Sequence, residues 1–164
     1  MQYLDVVPLR RVADLVEGRR EEVLAALDAV LAEAPGCRGA HRGGVEIAMR
    51  LGRPAAQVLA RLEALLDIPT PPRDTEFVSR RTLGLQVSGA TVGGHRLLAR
   101  CHLFAARYTL ALEEVRRMVE LDPAKRSEAV AFLGHVAEKA PALREARFLL
   151  ASLHAALGSV DAAR

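Results

Sequence analysis

The sequence predicts an all-α protein, a right-handed α-solenoid of antiparallel helix pairs. Two features that we call marks, a glycine and a proline, repeat at the same interval. Gly18 recurs as Gly52, and Pro35 recurs as Pro69, equally far along the chain. A single apolar-periodic run fills the interval between each of these glycines and its proline. A helix–turn–helix unit of this size cannot bury its own apolar face, so stacked neighbours must share one core.

The composition is that of an ordered chain with no expected membrane span or leader. The 164 residues fit one domain or one short repeat array, and 51% are hydrophobic and 26% charged. No apolar run is long enough for a membrane span, and Asp5, Arg10 and Arg11 interrupt the beginning where a secretory signal would be apolar. Cys37 and Cys101 lack metal or redox spacing. We expect reduced thiols in a cytoplasmic, bacterial-type protein.

Glycines and prolines delimit the predicted helices of the first half. Pro8 and Pro54 are tolerated because each lies in the first turn of its helix, where a missing N–H costs little. Glu21 and Glu22 favour a helix start, since acidic side chains stabilise the positive end of the helix dipole. The four helices are predicted over residues 4–17, 21–34, 38–51 and 54–66.

Residues 70–94 are the least regular part of the chain and are predicted as an irregular repeat or an insertion. One interpretation is a loop, and another is a helix over residues 74–86. Alternation of Leu83, Leu85 and Val87 would also suit a short hairpin, although no partner strand is evident. Strict alternation of helices along the chain favours the helix.

The second half contains four clear apolar-periodic runs and a short final segment. With these, the chain is predicted as a single domain over residues 1–164, of about four to five repeats and roughly ten helices. The predicted segments are residues 90–105, 108–121, 125–139, 142–157 and a final stub from Val160.

Residues 98–123 resemble the tetratricopeptide repeat. Ala99 and Ala111 occupy the places of the small residues that let the paired helices of that family approach, and Pro123 closes the unit. Residues 146–163 look similar, although Val45 and Gln57 stand where the family has small residues. The run at 108–121 fits either position in a pair, so helix pairing after Pro69 stays open.

The residues that could carry chemistry do not form a catalytic or metal-binding pattern. Cys101 and His102 are neighbours on a predicted helix and point about 100° apart, so they cannot act as nucleophile and base together. The glycine pairs at 43–44 and 93–94 lack the strand and the Lys-Ser or Lys-Thr of a phosphate loop, and are expected to ease the start of helices or to permit close approach between neighbours. No catalytic residue, metal or cofactor is predicted. The histidines expected either to have a structural role or to lie on the surface are His41, His95, His102, His135 and His154.

Arginines give the sharpest functional hint, because the middle of the chain is the electropositive part of a sequence with net charge +3. The resemblance implies that the first helix of each repeat lines a groove, where basic residues hold acidic peptides or a terminal carboxylate. Arginine suits this role through its planar bidentate fork, although a solvated helix face is the alternative. The candidate groove residues are Arg42, Glu46, Met49, Arg50, Arg80, Arg81, Arg96 and Arg100.

The leading functional prediction is a protein–protein interaction scaffold that holds a peptide or partner protein, and not an enzyme. A helical nucleic-acid binder that uses the arginine-rich middle is an alternative, as is an accessory or regulatory subunit of an enzyme. A homodimer is also expected, because the stub from Val160 is too short to cover the apolar face of Phe148, Leu149 and Leu153.

Overall fold

A computed structural model describes residues 19–69 and 74–158, and all regular structure in these ranges is helical. The predicted helix at 4–17 and the segment from Val160 lie outside the described residues. The described elements are α1 (Arg20–Glu33), α2 (Arg38–Arg50), α3 (Ala55–Leu66), α4 (Thr75–Ser88), α5 (Val92–Phe104), α6 (Tyr108–Leu121), a 3₁₀ turn (Pro123–Lys125), α7 (Arg126–Lys139) and α8 (Arg144–Ala156).

Helix α4 confirms the helical interpretation of residues 74–86, and the loop and hairpin alternatives are wrong. Val78 and Thr82, four residues apart, are both fully buried, which is the spacing of one helix face. Leu83 and Val87 are exposed, at 51% and 90%. The apparent alternation around them therefore does not mark a buried face of a strand.

Two kinds of turn follow the helices. The three 13-residue helices α2, α5 and α8 are each followed, two residues on, by a positive φ, of 65° at Gly52, 55° at Ala106 and 76° at Gly158. Three of the four described 14-residue helices, α1, α6 and α7, instead end at a residue with φ between −142° and −129° directly before a proline, at Ala34, Asp122 or Ala140. Because α6 and α7 end alike, the two kinds of turn do not alternate strictly.

The α1–α2 hairpin recurs as α7–α8, and every helix boundary is displaced by the same number of residues along the chain. Several matched positions are buried in both hairpins, since Leu27 matches Leu133 and Ile47 matches Leu153, although Val30 is 45% exposed where Val136 is buried. Equal helix lengths, equal turns and these shared buried positions indicate one structural unit used twice.

The chain divides into two compact units, Met1–Arg81 and Thr82–Arg164, and α4 begins in the first and ends in the second. The single repeat domain over residues 1–164 stays a prediction. In the first unit α2 packs against α1 and α3, around buried Leu24, Leu27, Ala40 and Ile47.

In the second unit α5 packs against α6, and α7 packs against α8. Its core includes Leu112, Leu133 and Leu153. The expected apolar face at Phe148, Leu149 and Leu153 is therefore narrower than predicted: Leu153 is only 7% exposed and Leu149 packs partly against the core, whereas Phe148 is 77% exposed.

Arginine–carboxylate pairs connect helices that lie two places apart in the chain. The Arg61 guanidinium on α3 donates two hydrogen bonds to Asp28 on α1, at 2.7 and 2.9 Å. These bonds lower the pKa of Asp28 and raise that of Arg61. Arg81 pairs with Glu46 between α4 and α2, and Arg96 with Glu128 between α5 and α7. The partners are separated by 32 to 35 residues, a range that contains the interval at which the glycine and proline marks repeat.

Gly94 permits a close approach, as predicted for the glycines at 93–94. The Gln86 amide oxygen accepts hydrogen bonds from the Thr91 backbone N–H, at 2.9 Å, and from the Thr91 hydroxyl. Thr91 in turn caps α5 by accepting the Gly94 N–H at 3.1 Å. A Cβ on Gly94 would lie 2.3 Å from the Gln86 amide, so any side chain there would displace that amide from Thr91.

The turn geometry predicts opposite effects for two reciprocal substitutions. Gly52→Ala should lower the free energy of unfolding by about 1 kcal/mol, because an added Cβ disfavours the left-handed conformation. Ala106→Gly should raise it by roughly 0.5–1 kcal/mol, since it removes the same strain. Urea unfolding followed by circular dichroism measures both.

Gly84→Ala is the matched control, because Gly84 lies within α4 and, like Gly52, has open space around its Cβ position. It should stabilise by about 0.5–1 kcal/mol, as alanine does in helix interiors. Stabilisation by Gly52→Ala would contradict the turn assignment.

Candidate functional site

The candidate surface on α2 and α4 is built around the Phe77 ring. The Arg42 guanidinium carbon lies 4.6 Å from the ring centroid, and that of Arg81 lies 5.4 Å from it. Both distances are within the range of a cation–π interaction. Two arginines predicted as groove residues therefore share one aromatic ring.

Two carboxylates complete this surface. Asp74 is buried, and its carboxylate lies 3.3 Å from Arg38 Nε and 3.9 Å from Arg42 Nη1. Glu46 forms an ion pair with Arg81. We call Arg38, Arg42, Glu46, Asp74, Phe77 and Arg81 the α2–α4 cluster. Three arginines against two carboxylates leave one positive charge in excess.

Helical spacing explains why these side chains meet. Arg38, Arg42 and Glu46 follow each other at four-residue intervals on α2, which places them on one face. Phe77 and Arg81 are four residues apart on α4 and share a face in the same way. The two helix faces are joined by the ion pairs and by the arginine contacts to the ring.

Arg42 is the most accessible arginine of the cluster. Its side chain is 51% exposed, against 28% for Arg38 and 31% for Arg81. Its distance of 3.9 Å to Asp74 is too long for a hydrogen bond, so that contact is electrostatic only. Arg42 can therefore donate hydrogen bonds to a ligand without breaking one to Asp74.

The other predicted groove residues are placed differently. Arg80 is highly exposed and pairs with Glu76 one turn earlier on the same helix. Met49 and Arg50 are half-buried on α2. Arg96 and Arg100 belong to the second unit, where Arg96 Nη1 lies 3.4 Å from Glu128 Oε1.

Sequence reasoning missed Arg38, Asp74 and Phe77. A usable signal was present, because the 32-residue separation of Arg96 from its partner Glu128 also separates Arg42 from Asp74. A search for arginines and carboxylates 32 to 35 residues apart, a window around the repeat interval, would have included Arg42 with Asp74. Phe77 has no such signal, since only the helix packing shows that it lies between two arginines.

Sequence reasoning also missed a buried polar pair in the second unit. His95 Nδ1 lies 2.5 Å from Glu114 Oε2, with both side chains almost fully buried. The pair joins α5 to α6 and provides each group with the partner that a buried polar atom requires. It agrees with a structural role for His95.

Cys101 and His102 offer no activated thiol. Burial raises the pKa of Cys101 to about 12, and the charge of Arg100 offsets this only in part. Burial likewise lowers the pKa of His102. His41 is also accounted for, because its Nε2 lies 2.7 Å from the Pro35 carbonyl oxygen.

Within residues 19–69 and 74–158, no group of three or more potential ligands is arranged to hold a metal ion. Over the same ranges, no helix has both the length and the hydropathy needed to cross a bilayer. A scan against models of protein families finds no match for the chain. A search of curated proteins likewise finds no significant similarity.

The buried pair predicts a cost for removing Glu114. Glu114→Ala should lower the free energy of unfolding by about 1–3 kcal/mol, because it leaves His95 buried without its partner. Urea unfolding measures the change. Glu113→Ala on the exposed side of α6 is the control and should have an effect within about 0.5 kcal/mol. Equal effects of the two substitutions would contradict a structural role for the pair.

The thiol environments predict unequal reactivity. With a disulfide reagent at pH 8, native protein should react quickly at half-buried Cys37 and slowly at buried Cys101, because only the thiolate reacts. Absorbance of the released thiol measures both rates. Cys37→Ser should remove the fast phase, and denaturant should release Cys101. A fast phase that persists in Cys37→Ser would contradict the assignment.

Proposed function

We propose that the protein is an interaction scaffold whose α2–α4 cluster binds an acidic peptide segment of a partner protein. The observation that carries this proposal is Arg42, a half-exposed guanidinium positioned by the Phe77 ring. A positioned arginine loses less freedom on binding a carboxylate than a mobile one does.

Internal contacts support carboxylate recognition at this surface. Asp74 already lies beside Arg38 and Arg42, and Glu46 beside Arg81, so the cluster accommodates carboxylates at close range. These internal acids also restrict binding, because they neutralise most of the positive charge. An acidic side chain would therefore approach Arg42 from the solvent side, while Arg38 continues to hold Asp74.

The proposal includes the finer architecture predicted from the sequence. Recurring turns, the repeated α1–α2 hairpin and ion pairs close to the repeat interval support a tetratricopeptide-like solenoid. In such an array the first helices line a common groove, and we place α2 among them. A right-handed array of about four to five repeats and roughly ten helices, in the cytoplasm, is part of the same proposal.

Nucleic-acid binding is the second candidate, favoured by the excess of arginine in the middle of the chain. Most of the described arginines there have a carboxylate partner, including Arg80, Arg81 and Arg96. Paired arginines attract phosphate weakly, and so we prefer the peptide ligand. A role as an accessory subunit of an enzyme would use the same surface for docking.

Binding of a fluorescent octaglutamate peptide, followed by anisotropy, tests the proposal. Arg42→Ala should weaken the affinity about tenfold or more, since a charge-assisted hydrogen bond contributes roughly 1.5–3 kcal/mol. Arg80→Ala is the matched control, because Arg80 pairs within its own helix and lies outside the cluster. It should leave the affinity within about twofold.

Equal weakening by both substitutions would mean that only overall charge is recognised, and would contradict the proposed site. If a single-stranded oligonucleotide binds more tightly than the peptide, and its affinity falls steeply when salt is added, nucleic-acid binding is favoured instead.

A further inference from the structure

The contact between α6 and α8 differs from three other contacts between helices two places apart. α1 and α3, α2 and α4, and α5 and α7 are connected by arginine–carboxylate pairs. Between α6 and α8 the described side chains instead line an apolar groove of about 280 Å³. Its walls are Val115 and Val119 from α6 and Leu149 and Leu153 from α8, with Arg116 and Glu120 at the edge.

An exposed aromatic ring lies next to this groove. Phe148 is 77% exposed and directly precedes the lining residue Leu149 on α8. When the two hairpins are aligned helix by helix, Phe148 corresponds to Arg42 of α2, whose guanidinium contacts Phe77 of α4 in the first unit. In the first unit, the residue at this position therefore contacts a further helix.

We propose that the α6–α8 groove binds Phe148 from a second copy of this chain, so that two copies associate through their α8 helices. A twofold contact requires a surface that is complementary to itself. This surface has both parts, because a protruding ring and an apolar groove occur side by side on one helix. The groove volume suits one aromatic side chain, and each copy supplies one ring and one groove.

Charge at the edge agrees with a second copy as the occupant. The groove edge carries exposed Arg116 and Glu120, and Arg147, which precedes Phe148, is exposed as well. In the proposed dimer the partner's Arg147 reaches the edge on the side of Glu120, which attracts it. The twofold axis forms this ion pair twice.

Light scattering during gel filtration tests the proposal on the full chain. The protein should elute with twice the 17.7 kDa mass of one chain, and Phe148→Asp should elute as a monomer with an unchanged helical spectrum and a melting temperature that no longer depends on protein concentration. Phe104→Asp is the matched control, since Phe104 is a 57% exposed aromatic residue on α5. It should remain a dimer.

A charge exchange gives a second test that does not depend on the ring. Glu120→Arg and Arg147→Glu should each increase the dimer dissociation constant severalfold, and the double variant should restore it. A monomeric native chain at millimolar concentration, or a dimeric Phe148→Asp variant, would overturn the proposal. The proposal would also be overturned if the double variant dimerised more weakly than either single variant. Binding of a phenylalanine-bearing helical peptide in the groove of a monomeric chain would overturn it as well.

Discussion

Every α-helix in the described ranges is 12 to 14 residues long and has an apolar face that it cannot bury alone. Each helix is therefore stable only against its neighbours, since short isolated helices are marginal in water. Burial of Leu27 and Ile47 in one hairpin and of Leu133 and Leu153 in its counterpart meets this requirement in the same way. The turns are constrained as a result, because each must return the chain with the next apolar face inward.

Apolar burial does not by itself fix how one helix slides along another, and the arginine–carboxylate pairs supply that restriction. Pairs such as Arg61 with Asp28 and Arg96 with Glu128, 33 and 32 residues apart, join helices close to the repeat interval. Charge used in this way is no longer available to a ligand. The function proposed for the α2–α4 cluster therefore depends on Arg42, whose contacts with Asp74 and Phe77 leave half of its side chain exposed.

Glycine and proline positions, together with apolar periodicity, predicted the eight helices of the described ranges, because glycine and proline act locally on the backbone. The bounds of α6 were predicted to the residue, and α4 followed from the alternation of helices. The pairing of His95 with Glu114 and the burial of Leu153 were not predictable, since both depend on how α5, α6 and α8 stack. The candidate arginines could be chosen by residue type, but their partners could be identified only from the packing of the helices.

A double-mutant cycle at Asp28 and Arg61 tests most directly whether these pairs connect alternate helices. The free energy of unfolding is measured for the native chain, Asp28→Ala, Arg61→Ala and the double variant. A bidentate, partly buried pair should give a coupling energy of about 0.5–1 kcal/mol, at the upper end for exposed ion pairs. A coupling energy of zero would contradict the account.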